Sequence, residues 1–120
     1  MIVLDASALL AFLKGETGAD QVENALSGQA ACGAANWSEV AQKIRAYGDW
    51  EMARALLLSY GIQVLPVSMA DAEAAATMWA PGSGLSLADR LCLALGERLD
   101  SEVITADLAW GLDGRIRQIR

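Results

Sequence analysis

Ile2-Val3-Leu4 runs through Asp5 straight into Ala6-Ser7-Ala8-Leu9-Leu10-Ala11-Phe12 with almost no spacer. A short apolar run rich in β-formers reads as a buried parallel strand, and the Ala/Leu run after it as a helix. Asp5 then stands where a strand ends and a helix begins. In an open α/β sheet that is the edge at which ligands bind.

The same alternation continues along the chain. Residues 16–26 form an amphipathic pattern, with Ala19, Val22, Ala25 and Leu26 on one face. Residues 29–34 read as a weak second strand of small side chains. Asn36 then opens a helix to about Tyr47, as N-cap, with Glu39 at the reciprocal N3 position. A further helix over 49–60 ends at Gly61, and 62–66 is a third strand stopped by Pro66. Ser68 caps a helix to about Trp79, with Asp71 at N3. Residues 80–84 are a loop, and Ser86 and Asp89 open an apolar helix to about Leu99. Residues 101–105 form a fourth strand, followed at once by Asp107 and a helical turn over 108–112. Residues 115–120 read as an edge strand whose arginines discourage further pairing. The alternation predicts a single domain over 1–120, a three-layer α/β/α sandwich on a central parallel sheet. The first strand is expected at its centre and the third at an edge.

Composition excludes several chemistries. There is no histidine, so Ser-His-Asp and Cys-His catalysis are out, and acid–base work falls to carboxylates, Lys, Tyr or bound metal. Cys32 and Cys92 are far apart, without Cys or His neighbours, and read as small buried hydrophobes of a reducing compartment. No apolar run approaches the ~20 residues of a membrane span. No basic segment precedes the first apolar run, which argues against a signal peptide and for a cytoplasmic protein. The net charge of −6 runs against the basic footprint of a nucleic-acid binder. It weighs less if acidic groups gather on metal ions, which reverse the local field.

Four acidic residues, Asp5, Glu39, Asp89 and Asp107, follow expected strands or open helices near the sheet's carboxyl edge. Such a group suits Mg²⁺, which takes one or two carboxylates, waters and substrate phosphate. Divalent ions activate water and stabilise phosphodiester cleavage without histidine. Capping is the competing account: Asn36/Glu39, Ser68/Asp71 and Ser86/Asp89 all match the capping-box spacing. Asp71 is set apart because its strand lies at a sheet edge. Ser7 and Thr105 are candidate hydroxyl partners for the carboxylates, or local backbone caps. Arg90 is offered as a contact to phosphate or to an inhibitor, or as a surface charge. Trp37, Trp50, Trp79 and Trp110 are offered as base-stacking residues or as core or partner-interface residues, and Arg115, Arg117 and Arg120 as an RNA contact or a solvated edge.

Val3-Leu4-Asp5-Ala6-Ser7-Ala8, Asn36-Trp37-Ser38-Glu39-Val40, residues 85–95 with Ser86 and Asp89, and residues 103–110 with Thr105 and Asp107 occur in that order. With these segments the chain resembles a PIN domain of the VapC-type toxins from bacterial toxin–antitoxin pairs. The resemblance implies a metal-dependent endoribonuclease in which Asp5, Glu39, Asp89 and Asp107 are catalytic. It implies that Asp5, Asp89 and Asp107 ligate Mg²⁺ or Mn²⁺, with Ser7 and Thr105 in support. It also implies an RNA substrate, a homodimer and a cognate antitoxin that inserts into the active-site groove. Two rivals stand beside it: a degenerate PIN-like partner-binding module, and an aspartyl-phosphate enzyme using Asp5 as nucleophile.

Overall fold

The computed structural model describes all 120 residues, in which short strands alternate with helices. Strands β1 (Ile2–Leu4), β2 (Ala30–Gly33), β3 (Gln63–Leu65), β4 (Val103–Thr105) and β5 (Ile116–Gln118) form one sheet in the order β3-β2-β1-β4-β5. Every neighbouring pair is parallel, with Val3 in register with Ala31 on one side and Val103 on the other. β1 is central and β3 lies at an edge, as the sequence predicts. The connections supply helices α1 (Ala6–Lys14), α2 (Ala19–Ser27), α3 (Ala34–Tyr47), α4 (Trp50–Ser59), α5 (Met69–Thr77) and α6 (Leu87–Arg98). This is the predicted α/β/α sandwich. No helix is long and apolar enough to cross a membrane.

Strand side chains alternate between faces, so each central strand feeds two cores. Leu4, Cys32 and Ile104 pack with Leu9, Val22, Leu26, Val40 and Leu57 from α1 to α4. Val3 and Val103 pack on the opposite face with Cys92 and Leu95 of α6 and with Trp110. Both cysteines are buried and unbonded. Helix α6 lies so close to β4 that a Cβ at Gly96 would collide with Val103 Cγ2. At Gly18 the backbone turns into α2 at φ +92°, and a Cβ there would sit 2.6 Å from Ile119 Cβ. Both close approaches need glycine.

Several sequence expectations are corrected in detail. Asn36 is not the N-cap of its helix. β2 passes into α3 without a loop, so Gly33, extended at φ −71° and ψ 151°, ends the strand and caps the helix at once. Asn36 then falls inside the first turn and is 1% exposed. The turn after β4 is a short 3-10 turn, Leu108–Trp110. The C-terminal arginines lie on and beside the edge strand β5 as the solvated-edge alternative expects, in exposed ion pairs of Arg115 with Asp100 at 2.8 Å, Arg117 with Glu102 at 3.8 Å and Arg120 with Glu16 at 3.0 Å. Trp50 and Trp110 are core residues, whereas Trp79 is exposed.

Candidate active site

Parallel strands direct their carboxyl ends one way, so the residues after β1 and β4 and the helices opening there share one edge. Asp5 leaves β1 and caps α1, its Oδ1 accepting from the Ala8 N–H at 2.8 Å. Ser7 Oγ donates to Oδ1 at 2.8 Å and Oδ2 at 2.9 Å, and Thr105 Oγ1 donates to Oδ2 at 2.6 Å. Each hydroxyl has one proton. Their acceptor sides are taken by neighbouring main-chain N–H groups, Ala106 on Ser7 at 2.8 Å and Asp107 on Thr105 at 3.0 Å. The protons are therefore turned toward Asp5. Asp5 is 3% exposed. Burial pushes its carboxyl up to about 6, against the pull of the Thr105, Ala8 and Ser7 hydrogen bonds, and the Asp89 charge adds a smaller push in the same direction.

The other three carboxylates are each held by one oxygen. Asp89 closes the capping box of α6: its N–H donates to Ser86 Oγ at 3.1 Å, and its Oδ2 accepts from the Ser86 N–H at 2.9 Å. Asp107 caps the 3-10 turn, Oδ1 accepting from the Ala109 N–H at 2.9 Å. Glu39 Oε1 accepts from Asn36 Nδ2 at 3.2 Å. Asn36 Nδ2 also reaches the Ala88 carbonyl at 3.4 Å, which ties Glu39 to the turn carrying Asp89. Asp89 Oδ1, Asp107 Oδ2 and Glu39 Oε2 have no partner in the protein. Capping and ligation are thus not exclusive here, because a carboxylate has two oxygens and a cap uses one.

Asp5, Ser7, Glu39, Asp89 and Asp107 line one cleft of about 150 Å³, together with Ala6, Leu10 and Lys43. Thr105, fully buried, supports Asp5 from β4. No three of the acidic groups are drawn into a preformed metal cage. The donor chemistry nonetheless fits a hard divalent ion: apart from Lys43 the polar side chains lining the cleft are carboxylates and a hydroxyl, several carboxylate oxygens are free, and Mg²⁺ keeps waters instead of demanding an all-protein cage. With no histidine in the chain and both cysteines buried in the core, nothing here suits structural zinc.

Asp71 lies outside this cleft, where Arg98 donates to it at 2.8 and 3.1 Å and holds its carboxyl below the usual range. Arg90 is not among the residues lining the cleft, and its Nη1 donates to the Ala75 carbonyl at 2.9 Å. Lys43 was not among the sequence candidates. Its signal was its position four residues after Glu39, one turn along the same helix face.

The sequence matches the PIN domain family over residues 2–111. No curated protein sequence matches the chain. Among solved structures, a toxin–antitoxin complex from Klebsiella pneumoniae is similar at 21% identity and a TM-score of 0.84, covering 100% of this chain and 98% of that one. The sarcin–ricin loop cleaving toxin VapC20 of Mycobacterium tuberculosis is similar at 17% identity and a TM-score of 0.71, covering 96% and 99%. VapBC2 of Rickettsia felis, bound to a DNA fragment from its promoter, is similar at 12% identity and a TM-score of 0.65, covering 90% and 89%. The match spans nearly the whole chain, from β1 to the residue after the 3-10 turn, and takes in all four cleft carboxylates: the chain belongs to the PIN domain family.

Proposed function

We propose that this PIN domain, folded as one unit over residues 1–120, is a cytoplasmic metal-dependent endoribonuclease. In this reading it is the toxin of a toxin–antitoxin pair, works as a homodimer and is neutralised by a cognate antitoxin. The observation that carries the reading is the convergence of Asp5, Glu39, Asp89 and Asp107 on one small cleft at the carboxyl edge of the central strands. The similar toxin and toxin–antitoxin structures support the choice of RNA and of an antitoxin partner.

Asp5, Asp89 and Asp107 would hold Mg²⁺ or Mn²⁺, with Glu39 as the fourth catalytic carboxylate. When bound, such an ion supplies Lewis-acid polarisation of the phosphoryl group and activates water near neutral pH. The chain's own groups do the positioning. Ser7 and Thr105 fix the Asp5 carboxylate from two sides. Ser86 and the Ala109 N–H fix one oxygen each of Asp89 and Asp107. Asn36 orients Glu39 so that its second oxygen can take a proton from, or align, the attacking water. The aspartyl-phosphate rival gains no support, because Ser7 stands two residues after Asp5 where that chemistry needs a second acid, and it only donates to Asp5.

The test is cleavage of a mixed small-RNA pool by the purified, partner-free protein in Mg²⁺ or Mn²⁺, with EDTA and Asp5→Asn as controls. Cleavage that needs metal and is lost in the variant supports the reading. Equal cleavage by both proteins, or none by folded, metal-loaded wild type over a broad panel, counts against it; the second result favours the partner-binding module.

A further inference from the structure

Lys43 is the one cation on the wall of the acidic cleft. It lies one turn beyond Glu39 on α3, yet none of the four ion pairs in the molecule includes it. Most other cations are committed. Arg98, Arg115, Arg117 and Arg120 are paired with carboxylates. Arg90 is spent on the Ala75 carbonyl, and Lys14 lies 5.0 Å over the Tyr47 ring. Of nine Lys and Arg, that leaves Lys43, Arg45 and Arg54, and only Lys43 borders the carboxylates.

An RNA strand brings a negative charge at every nucleotide to a protein whose net charge is −6. The carboxylate cluster, once loaded with a divalent ion, could receive the scissile phosphate, but the neighbouring phosphates still approach a protein of net negative charge. An ammonium on a flexible stem, exposed and without a partner, matches a phosphate as a point charge and tolerates any base. We propose, on the nuclease reading above, that Lys43 binds a substrate phosphate adjacent to the scissile one. It thereby directs the strand out of the cleft along α3. The competing account is that Lys43 only offsets the charge of Glu39 and its neighbours.

The two accounts are separated by binding. A fluorescent single-stranded RNA oligonucleotide is titrated in Mg²⁺ with Asp5→Asn protein, silenced for cleavage, and with the same protein carrying Lys43→Gln or Lys43→Arg. Loss of a phosphate contact is expected to weaken binding by about tenfold. The loss should be the same for every oligonucleotide sequence, and the slope of log affinity against log salt should flatten by about 0.7. Lys43→Arg keeps most of the affinity. In the cleaving protein, Lys43→Gln raises KM with kcat little changed. The side chain is exposed, so its melting temperature should not move. Unchanged RNA affinity and salt slope overturn the proposal, as does a Lys43→Gln protein that binds Mg²⁺ more tightly and RNA equally well. Wild type that neither binds nor cleaves RNA overturns the nuclease reading and this proposal together. An active enzyme indifferent to Lys43→Gln overturns this proposal alone.

Discussion

Asp5 carries a charge that the folded chain resists. Its carboxyl is pushed up from an ordinary 3.8 to about 6, so between those values the folded state holds the proton more tightly than the unfolded state does. Raising the pH through that window therefore costs the metal-free protein stability, on the order of 3 kcal/mol once Asp5 is ionised. In EDTA, wild type is expected to lose stability relative to Asp5→Asn between pH 4 and pH 7, read by urea unfolding at both values. Added Mg²⁺ should recover the loss in wild type and stabilise the variant less, because binding to the folded state alone stabilises it and the variant keeps only the other carboxylates as ligands. A difference between the two proteins that stays flat with pH would mean the buried charge is compensated within the chain.

At the scale of elements, the start of α6 serves structure and site at once. Ser86→Ala removes one half of the capping box and should cost about 1 kcal/mol of stability. It also frees the turn that fixes Asp89, so Mg²⁺ affinity, measured by calorimetry, is expected to fall with it. The α5–α6 tie has no such second role. Asp71 keeps its proton affinity low through Arg98, so the pair stabilises the fold above the ordinary carboxylate range and the benefit is lost as pH falls through the lowered value. Asp71→Asn keeps a side-chain oxygen for the Ser68 N–H but loses the ion pair. Since Arg98 is well exposed, the expected cost at pH 7 is only about 1 kcal/mol. It should vanish in acid and leave RNA cleavage untouched at any pH.

For the whole molecule, the two cores share the same central strands, since Leu4 and Val3 of β1 face opposite layers. Neither layer can be peeled away without exposing the other's sheet. A single cooperative unfolding transition is therefore expected, with calorimetric and van't Hoff enthalpies equal. Two resolved transitions would show that residues 1–120 do not form one folding unit.

The strand–helix alternation, the Ser68 and Ser86 capping boxes and the place of Asp5 after the central strand were all legible in the residues, because each rests on a pattern a few residues long. The four acids could be named, but not whether they were caps or ligands. A partner two or three residues away takes one oxygen each of Asp89, Asp107 and Glu39, and what contacts between distant segments add is the gathering of the four acids on one cleft. Thr105 reaches Asp5 across 100 residues of sequence, and Asn36 reaches Ala88 across 52. Asn36 reads as a cap in the sequence because no local signal tells that β2 enters α3 without a loop. Arg90 and the terminal arginines stay ambiguous in the sequence because their partners lie on other elements. The sequence by itself determined the layers and the acidic inventory, through short-range periodicity and capping. Only the tertiary structure decided which of those acids meet, which cation joins them and which are spent elsewhere, because charge and hydrogen-bond pairing are settled by distance in space.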